Sequence, residues 1–188
     1  MKDSGWKKKL VLLALCLGLL LIAVNSPGIF RLPPLTPAKV ECLGGEDLSA
    51  PVFSLPDVNG QKVDLRSFKG QVIVLEFWAT WCGPCREAIP VLDQLSRKYR
   101  DQGVAVIGIS LDRKEPREVK KFLDSLGVEY VNVMGGEEVL EKYGQIPGLG
   151  PIRGIPATFL IDRKGVICRR FLGLTEGKVL EEAVRAVL

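Results

Sequence analysis

Apolar positions along this chain follow two regimes. Leu10–Val24 is a run of fifteen residues without a charge, dominated by leucine. From about residue 48 onward the apolar residues come instead in short runs and in helical repeats. Val52–Leu65 holds Asn59-Gly60 between short apolar stretches, a hairpin signal. Val72–Trp78 (VIVLEFW) is almost continuously apolar and of strand length, which predicts a buried central strand with one carboxylate, Glu76, inside it. Pro84 to about Arg100 carries Ile89, Leu92, Leu95 and Tyr99 on one helical face, with Pro90 expected to kink it. Val104–Leu111 repeats the buried-strand pattern. Pro116–Leu126 reads as an amphipathic helix that Gly127 ends, Val128–Val133 as a short strand and Glu137–Tyr143 as a short helix. Ala157–Asp162 and Val166–Leu172 flank Lys164-Gly165 as a second hairpin, and a final helix, Thr175–Leu188, starts at a capping Thr175.

Strands alternating with helices, then a hairpin and a closing helix, predict an α/β fold. The expected sheet has parallel inner strands, an antiparallel edge and helices on both faces. The segment before it has a different purpose. Fifteen helical residues rise about 22 Å, short of a hydrocarbon core of roughly 30 Å, and Asn25, Ser26 and Pro27-Gly28 could complete the span at the far interface. Lys7-Lys8-Lys9 before the run orient the amino terminus to the cytoplasm. Residues 1–26 therefore read as a retained membrane anchor, or as a cleaved signal segment; Val24-Asn25-Ser26-Pro27 is a poor cleavage site. Either way the domain is exported, to the periplasm or the cell exterior. Residues 27–47 begin with Pro27, Pro33, Pro34 and Pro37, a stiff linker, and the folded domain is expected over 48–188.

Charge and composition narrow the chemistry. Of the formal net charge of +4, residues 1–30 hold +3, as four lysines against Asp3. The remainder is nearly neutral and offers no basic footprint for nucleic acid. The chain has no histidine. That excludes Ser-His and Cys-His catalytic pairs and imidazole metal ligands, and leaves proton transfer to carboxylates, thiols, Lys, Tyr or water.

The most informative motif is Trp81-Cys82-Gly83-Pro84-Cys85, between a buried strand and a helix. Two intervening residues let both sulfurs meet in the first helical turn, where a disulfide can open and close. The unpaired N–H groups and dipole of the helix start favour the thiolate of the first sulfur, lowering a thiol pKa of about 8.5 to as little as roughly 3.5–7.5.

The stretch Phe77-Trp78-Ala79-Thr80-Trp81-Cys82-Gly83-Pro84-Cys85, with Glu87 and Pro90 after it and Gly154-Ile155-Pro156-Ala157-Thr158-Phe159-Leu160-Ile161-Asp162 downstream, resembles the TlpA/ResA-type membrane-anchored thiol-disulfide oxidoreductases of the thioredoxin superfamily. The resemblance spans roughly residues 48–188. It implies a thioredoxin fold, a central mixed sheet with helices on both faces, an N-terminal hairpin and a strand–helix insertion at 116–143. It also implies that Cys82 is an exposed nucleophile and Cys85 the buried resolving thiol. Glu76, six residues before Cys82, matches the buried acid that exchanges a proton with Cys85 through water. Glu87 matches an acid of the subgroup that tunes the cysteines, and would also suit a first helical turn. Pro156 would be a cis-proline beside the disulfide that keeps metal off the thiol pair. Trp81, Gly83, Pro84 and Ile155 would meet the substrate, with Gly83-Pro84 influencing redox poise. Gln145–Ile152 is a Pro/Gly-rich insertion that departs from the family pattern.

The resemblance implies no cofactor beyond the Cys82–Cys85 disulfide and no metal. Its partners would be an exported cysteine-containing substrate protein, for instance an apocytochrome c before haem attachment, and a CcdA/DsbD-type membrane electron donor, with the membrane reached through the N-terminal helix. Cys16 sits in the apolar run. Cys42 and Cys168 remain, and in an oxidising compartment they are expected to form a structural disulfide, against the alternative of two free thiols. Two other classes fit less well. A peroxiredoxin-type peroxidase needs threonine where Ala79 stands, and a metal-delivery protein needs wider cysteine spacing and a histidine. Arg86 occupies the place of the histidine that haem attachment requires.

Overall fold

A computed structural model describes Cys42 and residues 48–188. The expected anchor over residues 1–26, Cys16 and nearly all of the linker lie outside the described residues. Among the described residues no helix is long and apolar enough to cross a membrane.

An antiparallel hairpin of β1 (Ser54–Pro56) and β2 (Lys62–Asp64) precedes a five-stranded sheet. That sheet comprises β3 (Val72–Trp78), β4 (Val104–Ser110), β5 (Val131–Met134), β6 (Ala157–Ile161) and β7 (Ile167–Leu172), in the order β5-β4-β3-β6-β7. β3, β4 and β5 are parallel, and β6 and β7 run antiparallel to their neighbours. The four helices are α1 (Gly83–Tyr99), α2 (Pro116–Ser125), α3 (Glu137–Gly144) and α4 (Gly177–Val187).

β3 lies at the centre, so all seven of its residues are buried, and its alternation assigns each to one face. Ile73, Leu75 and Phe77 join a core with Val139 and Tyr143 of α3. Val72 and Val74 point the other way, to Leu92 and Leu95 of α1 and Leu180 and Val184 of α4. On that second face Trp78 meets Cys85, Ile89 and, from α2, Val119 and Leu123. Helices thus cover both faces. The sheet is a mixed thioredoxin-type sheet, and its parallel-to-antiparallel change falls at the central strand rather than at the edge.

Two boundaries differ from the sequence expectation. β5 starts at Val131, not Val128, because Val128 N–H still closes the end of α2 on Leu123 O, after Gly127 turns the chain at φ +67°. Thr175 does not cap the last helix. Its hydroxyl donates to Gly173 O at 3.3 Å, and α4 begins at Gly177 with the Glu176 carbonyl taking the first N–H groups. The Gln145–Ile152 insertion lies back on the core: Ile146 is buried, Leu149 and Ile152 pack against the α3-side cluster, and Arg170 donates to Gly150 O at 2.8 Å.

Candidate active site

The C-terminal end of β3 leads into a turn, Ala79–Cys82, and then into α1. Cys82 occupies the N-cap position in extended conformation, and its sulfur accepts from Cys85 N–H at 3.2 Å. The sulfur therefore takes one of the donors that every helix start leaves unpaired, and Pro84, which has no N–H, sits in the first turn at no cost. Cys82 and Cys85 are disulfide-bonded, with Cα atoms 5.3 Å apart. Cys85 is fully buried. Cys82 is 6% exposed, so it is more accessible than its partner but not the openly exposed residue that the sequence suggested. What stands out in solvent is the preceding residue, Trp81, at 68%.

Opposite the sulfurs lies the segment before β6. The Ile155–Pro156 peptide bond is cis, and Ile155 O lies 3.6 Å from Cys82 Sγ. Pro156 O accepts from Gly173 N–H at 2.8 Å, which ties this segment to the end of β7. Gly83 and Pro84 are exposed beside it.

Glu76 lies on the face of β3 that looks toward α1, two residues before Trp78. It is 1% exposed, and its Oε2 has no hydrogen-bond partner. Burial among apolar groups penalises the carboxylate and pushes its pKa up to about 8. Glu87 is solvent-exposed and stands in the second turn of α1, whose first turn holds no acid. The helix starts at Gly83, so Glu87 is too far along it for the dipole argument.

A second buried carboxylate escapes the sequence reading. Asp112, just beyond β4, accepts from Thr80 N–H at 2.8 Å, Thr80 Oγ1 at 2.6 Å and Ser110 Oγ at 2.9 Å. It holds the turn that carries Trp81 and Cys82. An acid at the end of a buried apolar run was the available signal. Distant from the site, Cys42 and Cys168 are disulfide-bonded to each other.

The family model described as Redoxin matches residues 46–188. The chain belongs to the Redoxin family. It is a thiol-disulfide oxidoreductase of the ResA type. To "Thiol-disulfide oxidoreductase ResA" of Bacillus thuringiensis subsp. konkukian it is 33% identical over 139 residues, 73% of this chain and 76% of that one. To the protein of the same name from Bacillus subtilis it is 29% identical over 164 residues, 86% of each. Among solved structures it is similar to a thiol:disulfide interchange protein of the thioredoxin family from Chlorobium tepidum, with TM-score 0.67, 29% identity, and coverage of 74% of this chain and 94% of that one. Protein thiol-disulfide oxidoreductase activity is what the chain shares with these relatives.

Proposed function

We propose that this oxidoreductase is tethered to the membrane through residues 1–26, with its domain on the extracytosolic side, and reduces disulfides in exported proteins. Apocytochromes c awaiting haem are one such class of substrate. A CcdA/DsbD-type membrane protein returns the electrons. The observation that carries the reading is the position of Cys82 Sγ, at the start of α1, 3.6 Å from Ile155 O and next in the chain to exposed Trp81.

In the reduced protein, the Cys82 thiolate is favoured by the helix N-terminus and by Cys85 N–H. It attacks a substrate disulfide lying along Ile155. The Cys82–substrate bond forms, the substrate S–S bond breaks, and the leaving sulfur takes a proton from solvent. Cys85 then loses its proton to the Glu76 carboxylate through water and attacks Cys82 Sγ. The Cys82–Cys85 bond closes and the second substrate sulfur leaves as a thiolate that takes a proton from solvent, so two electrons pass from the pair to the substrate. Trp81, Gly83, Pro84 and Ile155 form the contact surface, with Pro156 holding the Ile155 carbonyl in place and shielding the thiol pair. No cofactor besides the disulfide takes part.

The Cys85→Ser variant tests this. Expressed with its anchor, it should accumulate mixed disulfides through Cys82 with exported cysteine-containing proteins. These should vanish on reduction and in the Cys82→Ser/Cys85→Ser double variant. Recovery of no partner, or of partners unaffected by loss of Cys82, would overturn the assignment.

A further inference from the structure

The face of the sheet beneath α1 and α2 is not uniformly apolar. The register aligns Thr158 of β6, Glu76 of β3, Gly108 of β4 and Asn132 of β5 in one row across four strands. Four buried polar atoms around this row have no hydrogen-bond partner: Glu76 Oε2, Trp78 Nε1, Asn132 Oδ1 and Tyr130 Oη. Gly108 is the reason they can gather. A Cβ there would collide with both Asn132 Oδ1 and Trp78 Nε1, each closer than 3.0 Å to where it would sit. The bare backbone of β4 thus lets two polar groups reach over the strand next to Glu76. Asn132 is held in this orientation, because its Nδ2 donates to Tyr130 O at 3.0 Å and leaves Oδ1 facing inward.

We propose that Glu76, Trp78, Asn132 and Tyr130 bound one polar pocket over Gly108 that binds ordered water, and that Asn132 acts through this water as a positioning residue for the Glu76 carboxyl. The chemistry is complementary. Trp78 offers only a donor and Asn132 Oδ1 only an acceptor, while Tyr130 and Glu76 can be either. A water molecule supplies two donors and two acceptors, and a buried site with this many polar partners is the kind that retains it. Such water can accept from the protonated Glu76 and donate to the carboxylate, so it serves both states of the proton exchange with Cys85.

Other titratable groups face Glu76 from the packed elements. They are Tyr130, just before β5, whose hydroxyl pKa is raised by burial and by the Glu76 and Asp93 charges and lowered by the Asn132 side chain, Cys82 at the N-cap of α1, and Cys85 and Asp93 within that helix. Asp93 is already engaged by Arg97 at 2.6 Å and Glu129 N–H at 2.8 Å. Among the described residues no lysine or arginine is buried, so no cation there competes with water as the stabiliser of the Glu76 carboxylate.

The proposal rests on the reading of Glu76 as the proton acceptor, and the test separates the two. In the full-length protein in detergent, with 13C-labelled glutamate, the Glu76 carboxyl is identified by its loss in Glu76→Gln and titrated. Asn132→Leu should raise its midpoint by about one pH unit, a tenfold change in the ionisation constant. A midpoint that stays within about 0.2 unit in the folded variant would overturn the pocket. The wild type gives a second readout that needs no variant: the Trp78 indole N–H should cross-relax with long-lived bound water, and absence of that signal would equally overturn it. Should Glu76→Gln leave the disulfide-reduction rate unchanged while the water signal persists, the role of Glu76 fails and the hydrated pocket stands.

Discussion

At the residue scale, Glu76 combines a large energetic cost with a proposed function. Its carboxyl titrates near 8 in the folded chain, against 4.5 as the reference value. Between those two values the folded state holds a proton that the unfolded state has released, so stability falls as pH rises through this window. Below about 4.5 both states are protonated and the penalty is absent. Glu76→Gln should therefore leave stability nearly unchanged at pH 4.5 and raise it by roughly 3–5 kcal/mol at pH 9, in denaturant titrations at the two pH values. The same substitution should slow disulfide exchange, since Cys85 loses its proton acceptor, by about 10- to 100-fold near neutral pH. A variant that gains stability at high pH but keeps its rate would mean that the buried acid is structural.

Glu76 was visible in the sequence because it is the one charge in an otherwise apolar strand. Gly108 and Asn132 were not. Each is unremarkable in its own segment, and they acquire meaning only from the ladder that sets them beside Glu76. Glu87 was picked out by motif position alone, and the structure places it exposed and one turn along the helix.

At the element scale, the turn between β3 and α1 is fixed from outside itself. Asp112, from the next strand over, accepts two hydrogen bonds from Thr80 and one from Ser110. Removing a buried hydrogen-bonded carboxylate leaves three donors unpaired, and Asp112→Ala should cost about 3 kcal/mol in urea unfolding. It should also slow reduction of a protein disulfide, because Cys82 loses its fixed position against Ile155. Asp112→Asn, which keeps the acceptor oxygen, should recover part of both losses. If the alanine variant destabilises the fold without touching the rate per folded molecule, the clamp is structural only.

The strands β3 and β4, and the helix that starts at Gly83, were legible because period, length and the proline near the first turn agree. The start of β5 and the cap of α4 were not, since competing hydrogen bonds settled them. Val128 N–H goes to Leu123 O, and Thr175 Oγ1 goes to Gly173 O.

At the scale of the whole molecule, two disulfides stand apart in kind. Cys82–Cys85 closes a separation of 3 residues at an accessible rim, and Cys42–Cys168 closes one of 126. A cross-link over so long a loop restricts the unfolded chain most, so Cys168→Ala should lower stability by about 2–4 kcal/mol while leaving the redox potential of the Cys82–Cys85 pair unchanged. Mild reduction that opens only the active pair should free no thiol from Cys42 or Cys168. Labelling at either would show that the outer bond is not structural.

The sequence by itself determined the element types, the strand–turn–helix placement of Trp81-Cys82-Gly83-Pro84-Cys85 and the lack of any histidine to move protons, because these are properties of local pattern and composition. It also singled out Glu76 and the pairing of Cys42 with Cys168 as candidates. Only the tertiary structure decided that Cys82 is largely buried while Trp81 beside it is exposed, that Ile155 lies against the Cys82 sulfur, that Asp112 clamps the turn, and that Asn132 and Trp78 meet over Gly108. The last three join residues from different strands or loops. Their proximity is set by sheet register and chain crossover, which no single segment of sequence encodes.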